Sequence, residues 1–186
     1  MQQTNPIHEL TAEHRVIEKA AALMEKMADQ LTSGSGVDGS VLQNLVQFLR
    51  VYADELHHGK EEAILFPALE AKGVPQAGCP LGGLVAEHRK GRTLVDELIR
   101  ASGAYEENAA SAREELIASL RALRELYNSH IWKEDNLLFP LAEKLLAGDD
   151  SERVKKQFLE VDERIGTERI RKLTGFADQL DRHAGS

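Results

Sequence analysis

Two segments of this chain occur twice, in the same order. Ala12-Glu13-His14-Arg15 returns as Ala86-Glu87-His88-Arg89, 74 positions later. His57-x-x-Lys60-Glu61-x-x-x-Leu65-Phe66-Pro67 returns as His130-x-x-Lys133-Glu134-x-x-x-Leu138-Phe139-Pro140, 73 positions later. Each half therefore reads as a helix with Glu-His-Arg, a turn, and a helix with His-x-x-Lys-Glu. Two similar helical hairpins related by a pseudo-two-fold build a four-helix bundle, and a site on that axis draws matching groups from each half.

The histidines can be tested for a common level. In an antiparallel helix pair, residues equidistant from the turn lie at one height. The midpoint of His14 and His57 falls between Ser35 and Gly36, inside the run Ser33-Gly34-Ser35-Gly36. That of His57 and His88 falls between Lys72 and Gly73, at the start of a Gly- and Pro-rich breaker ending at Pro80. That of His88 and His130 is Ala109, in a weaker break around Gly103 to Ser111. All four histidines thus share one layer, about 32 Å from the first turn at roughly 1.5 Å per residue.

These breaks, with Gly148-Asp149-Asp150, predict helices at about 6–31, 39–72, 81–104, 110–147 and 151–181. Helix formers dominate and period-two alternation is absent, so the expected class is all-α. The predicted architecture is an up-down-up-down bundle over residues 1–148. A helical extension, 149–186, packs outside it or on a second subunit. Its stripes are Val154, Phe158, Val161 and Ile165, then Ile170, Leu173, Phe176 and Leu180 after Gly166. Inward stripes in the bundle include Leu10-His14-Ile17, Ala53-His57-Glu61-Ile64, Leu84-His88-Val95 and Leu123-His130-Glu134-Leu137. The two His-x-x-x-Glu pairs set an imidazole and a carboxylate one turn apart on one face.

Four histidines and two glutamates therefore converge in a core. Buried polar residues that satisfy one another are the plain alternative. Two ionised carboxylates, however, cost several kcal/mol each inside a protein unless paired or bound to a cation. Imidazole with carboxylate suits zinc, iron, copper or nickel. Six ligands are too many for one tetrahedral zinc. Two glutamates bridging two ions, with two histidines on each, leave open positions. Iron meets these conditions well, and the donor types alone leave manganese and zinc possible.

The motifs EHR, HHGKEEAILFP, EHRKGR and HIWKEDNLLFP resemble those of the hemerythrin/HHE cation-binding family, over about residues 7–146. The resemblance implies a four-helix bundle with an oxo- or hydroxo-bridged pair of non-haem iron ions. By position, His14, His57, His88 and His130 resemble terminal ligands, and Glu61 and Glu134 the bridging carboxylates. Oxygen carriers of the family have five histidines, two of them on the third helix. Here that helix offers His88 alone, with Leu84 and Arg92 on the adjacent turns. Their second bridge is an aspartate at another spacing. The expectation is therefore reaction with, or sensing of, O2, NO or peroxide rather than reversible carriage, with metal handling or iron–sulfur repair as alternatives. Repair-type relatives carry a cysteine-bearing N-terminal region that this sequence lacks.

Other polar residues receive plainer readings. His58 and Glu62 lie about 100° from the His57 stripe and are placed at the surface or behind the ligands. Glu13 and Glu87 are candidates to accept from an imidazole. Glu18 is a stray ligand or acceptor, and Tyr127 a core residue able to face the cavity. Trp132 should face another helix. The Phe-Pro pairs are helix-shape devices. His8 lies near the start of the first helix, and His183 in a tail.

The formal charge of −8 and the lack of a basic stripe argue against nucleic acid as partner. No apolar run is long enough to span a bilayer, and the N-terminus lacks a secretory pattern. Cys79 is the only cysteine, so no internal disulfide forms and a cytoplasmic monomer or homodimer with an unspecified redox partner is expected.

Overall fold

The computed structural model describes residues 5–182 and is helical throughout its ordered elements, with no strand among them. Helix α1 (Pro6–Thr32) starts at Asn5, whose side chain accepts from the Ile7 N–H at 3.0 Å, with Pro6 supplying a first-turn position that needs no donor. A second rod occupies 39–70. It opens as α2 (Gly39–Phe48), passes through π-helical stretches Leu49–His58 and Glu61–Leu65, and closes as α3 (Phe66–Glu70). Helix α4 (Leu81–Glu107) is followed by a rod over 109–145: α5 (Ala109–Lys133), a π-helical stretch Glu134–Leu138, and α6 (Phe139–Leu145). Helices α7 (Asp149–Ile165) and α8 (Thr167–Arg182) complete the chain.

The four predicted long helices are present, with small shifts at their ends. The third break narrows to Asn108, because α4 continues through Gly103. One glycine in a helix costs only about 1 kcal/mol, which packing offsets. The last predicted helix is two. Gly166, at φ 95°, turns the chain between them. Leu180, the last of the predicted stripe, and His183 lie outside what the structure describes of side chains and chain.

The wide π turns were not expected. Glu61–Leu65 and Glu134–Leu138 fall on the His-x-x-Lys-Glu-x-x-x-Leu-Phe-Pro segments, and Leu49–His58 lies ahead of the first of them. Pro67 and Pro140 have no N–H to donate. The residue before each donates five positions back instead, Phe66 to the Glu61 carbonyl and Phe139 to the Glu134 carbonyl. Each glutamate therefore opens a turn that holds an extra residue and that a proline closes. The extra residue corrects one predicted core position. Leu138, not Leu137, takes the inward place and is fully buried, while Leu137 swings out to 57% exposure.

Helix α5 packs along α1 and α4, and the second rod lies against α4 and α1. Their shared core includes Leu10, Met24, Leu45, Phe48, Leu98, Leu116 and Leu120. Helices α7 and α8 pack on α1, and α7 also on the second rod. Val154, Phe158 and Val161 are the buried face of α7. The expected packing of Trp132 is overturned by this placement. It is 59% exposed, and neither α7 nor α8 is among the elements packed closely on α5. Among the described residues no helix is long and apolar enough to cross a membrane.

Candidate metal centre

All six predicted residues are buried, and their side chains meet. His14, His57, Glu61 and Glu134 bring one ligand atom each within 4.8 Å of one another, and so do Glu61, His88, His130 and Glu134. Both glutamates belong to both groups. Each rod supplies one histidine: α1 gives His14, the second rod His57, α4 His88 and α5 His130. Glu61 and Glu134 are the first residues of matching π-helical stretches.

Every one of the four rings is held from behind. His14 donates from Nδ1 to Asp135 at 2.7 Å, His57 to Glu13 at 2.9 Å, His88 to Glu62 at 2.7 Å and His130 to Glu87 at 3.0 Å. An ionised carboxylate only accepts, so each Nδ1 carries a proton and each Nε2 is turned toward the centre. His14 Nε2 also donates to Glu134 at 3.1 Å, and one of the Nε2 atoms of His88 and His130 donates to the other at 3.0 Å; loss of those protons would free the lone pairs for a cation. The pattern obeys the repeat. The Glu of Glu-His-Arg holds the second histidine of its own half, and the acid after each shared glutamate holds the first histidine of the other half. Glu62 and Asp135 are thus counterparts, a symmetry that reading His-x-x-x-Glu pairs alone had missed. A cation backs each of these acids. Lys60 donates to Glu13 at 2.6 Å, Lys133 to Glu87, Arg92 to Glu62 at 2.8 Å and Arg15 to Asp135.

The two shared acids differ electrostatically. Burial, with the neighbouring Glu134 charge, pushes the Glu61 carboxyl far above the usual carboxylate range. Glu134 is also raised by burial, but His130 and the hydrogen bond from His14 outweigh it and hold the group low, at about 2. Two like charges at this separation do not both ionise without a cation. Both oxygens of Glu61, Oε1 of Glu134 and Nε2 of His57 are buried without a hydrogen-bond partner. Buried polar atoms are normally satisfied. These orphans face one another with the lone pairs a cation would take, so the donor set fits a metal ion.

Aromatic rings seal the layer. Phe139 stacks on His14 with centroids 5.0 Å apart, and Phe66 lies 6.0 Å from His88. The remaining assignments divide. Glu13 and Glu87 act behind the ligands. Glu18 pairs with Arg15 at 2.9 Å on the surface, and His8 is exposed beside Glu143. Tyr127 is buried against His58, and with His58, Gly91, Arg92 and Asp54 it lines a cavity of about 210 Å³. Of the two placements expected for His58, the surface one is overturned. The residue is 4% exposed, with its ring 3.9 Å from His88. It ends the π-helical stretch Leu49–His58, whose wide turns rotate less per residue than the α-helix assumed from sequence. The doubled His57-His58 was the available signal.

A family model described as the hemerythrin HHE cation-binding domain matches residues 5–142. The chain belongs to the hemerythrin HHE family. Among curated proteins, uncharacterised proteins of Mycobacterium bovis and Mycobacterium tuberculosis are 23% identical over 95% of this chain. The chain spans 66% of their length. Zinc finger protein BRUTUS of Arabidopsis thaliana is 28% identical over 69% of the chain, which covers 10% of that protein. No solved structure matches. An HHE domain is one that binds cations, and the paired His/Glu clusters are groups that could hold them.

Proposed function

We propose that the chain holds two non-haem iron ions, one against His14 and His57 and one against His88 and His130, with Glu61 and Glu134 shared, and binds, senses or reacts with O2, NO or peroxide there. The observation that carries this reading is the set of buried, unpartnered oxygens on Glu61 and Glu134 between two pairs of inward imidazoles. Zinc, which favours four ligands, fits the same donors less well, and the metal count separates manganese from iron. Included in the reading are an up-down-up-down order of the four rods, a bundle domain over 1–148 with an extension over 149–186, and a cytoplasmic monomer or homodimer served by a redox partner.

Such an iron pair supplies reversible electron transfer and open positions for a small ligand. The protein's part is orientation, dryness and proton control. Asp135, Glu13, Glu62 and Glu87 fix the four rings and raise their basicity. Phe66 and Phe139 exclude water on two sides. Burial pushes the Tyr127 phenol far above its ordinary pKa, so it stays a hydrogen-bond donor at the cavity wall.

The test is aerobic purification without added metal, metal count per chain and the near-ultraviolet and visible spectrum. Two irons per chain with diferric charge-transfer bands are expected. NO or peroxide added to the reduced form then separates binding from turnover. A single zinc, or no metal after anaerobic iron loading, sinks the di-iron reading and leaves a cation-binding bundle.

A further inference from the structure

The four ring-holding carboxylates have a fifth companion. His58 donates from Nδ1 to Asp54 at 3.2 Å, and Arg92 grips Asp54 through Nε at 2.8 and 3.1 Å. This is the arrangement that orients His14, His57, His88 and His130: a carboxylate behind Nδ1 and Nε2 on the far side of the ring. A ring nitrogen of His58 lies within 4.8 Å of ring nitrogens of His88 and His130, and all three side chains are buried. Its ring centroid is 5.6 Å from that of His130. An imidazole that only fills core volume does not need an acid pinned by an arginine. Its counterpart in the other half, Ile131, is apolar and equally buried. The pseudo-two-fold is therefore broken at one position, where a nitrogen donor replaces a hydrocarbon.

We propose that His58 is a fifth histidine ligand, to the ion held by His88 and His130. The proposal rests on the di-metal reading above and deepens it. The donor sets become unequal: three imidazoles on one ion and two on the other. His58 is grouped with His88 and His130 and not with Glu61 and Glu134, so its ring would draw in toward the centre when the ion binds. The histidine absent from α4 at Leu84 and Arg92 is then made good from the second rod, on the same side of the centre as His88. The less saturated ion, that of His14 and His57, has the freer position for a small ligand.

The experiment is proton NMR in ordinary water of the chain loaded with cobalt(II), with cobalt per chain measured on the same sample. Each imidazole bound through Nε2 keeps its Nδ1 proton, shielded by its carboxylate, and gives one exchangeable, strongly shifted signal. Five signals are expected with two cobalt ions. His58→Phe keeps a ring against His88 and should lose one signal, with one of the two ions bound at least about tenfold more weakly, the lower end of what loss of even an outer partner does. Asp54→Ala keeps His58 and should move that same signal, which decides the matter if His58→Phe does not fold. Four signals that His58→Phe or Asp54→Ala leaves intact, with two ions still bound, overturn the role of His58 and leave the di-metal reading standing. Fewer than two ions on the unaltered chain overturns both, and the metal count tells this failure from the first.

Discussion

The two halves of the repeat share a wiring scheme but not an environment. In the first, Lys60 lies behind Glu13 and is 1% exposed. It contacts Glu9 and Glu13 at 2.6 Å and Asp162 of α7 at 2.7 Å, with the Phe158 ring 5.5 Å away. In the second, Lys133 lies behind Glu87 with 39% of its side chain exposed, and nothing corresponds to α7. Trp132 and Leu137 stand open on that side. The same motif is thus a core ion cluster in one half and a surface ion pair in the other. The C-terminal hairpin alone makes the difference. It ties His57 through Glu13 and Lys60 to Asp162, so one face of the centre is coupled to α7 and the other is not.

The largest effect should ignore this asymmetry. On the proposed di-metal reading Glu61 and Glu134 both serve both ion positions, so Glu61→Ala and Glu134→Ala should each reduce bound metal from two ions to one or none, read by metal analysis. Metal-free protein separates them. Glu61 is held neutral there and Glu134 ionised between His14 and His130. Glu61→Gln should therefore change metal-free stability by less than about 1 kcal/mol, while Glu134→Gln strips buried imidazoles of their acceptor and should cost about 1–3 kcal/mol. Equal losses in urea unfolding would remove the electrostatic difference between the two acids.

Next in size is the contrast between the lysines. Lys60→Met leaves Glu13 and its neighbours as buried carboxylates without their cation and should cost about 3–5 kcal/mol. Lys133→Met removes a solvated pair and should cost about 0–1 kcal/mol. Phe158→Ala, which uncovers the same cluster, should cost about 3–5 kcal/mol by cavity formation and lost burial. Similar values for the two lysine variants would break the comparison on which this account of the halves rests.

Much of the site was readable before any coordinates because spacing from the turns needs no knowledge of packing. His14, His57, His88 and His130 lie at equal distances from breakers, and antiparallel helices must bring such residues level. Periodicity failed where the helix itself changed. A rule of 3.6 residues per turn puts Leu137 inside and His58 aside, and the π turns reverse both. The turn at Leu137 depends on the pairing of Phe139 with Pro140, as its counterpart does on Phe66 with Pro67, and these pairs read as shape without saying what shape. The stretch Leu49–His58 ends before Pro67 and contains no proline to announce it. Trp132 failed for another reason. Its neighbours in space depend on where α7 and α8 dock, and nothing local to α5 states that. The alternation of acid and histidine across the halves, Glu62 to His88 and Asp135 to His14, needed the three-dimensional pairing of rods.

Smaller again is the effect of the acids behind the rings. Glu13→Gln and Glu87→Gln each weaken the hold on one histidine and should lower metal affinity by about 10–100-fold. The two should separate within that range. A glutamine at 13 loses its charge beside a lysine that cannot reach water, so ring, amide and Lys60 must all readjust within a packed core. At 87 the released Lys133 simply turns to solvent. Competition with a chelator should therefore show the larger drop for Glu13→Gln.

The smallest effect belongs to the open face, and it is the sharpest check on which half is covered. Trp132→Ala and Leu137→Gln remove large apolar side chains that are 59% and 57% exposed. Surface changes of this kind fall within about 0.5 kcal/mol. Both variants should keep two ions and unaltered spectra, because neither side chain is one of the imidazoles or carboxylates of the centre or one of the acids bonded to them. A loss of 2 kcal/mol or more for either would mean that this face is buried in solution. The second half would then have a cover of its own, and the contrast between Lys60 and Lys133 should shrink in the same assay.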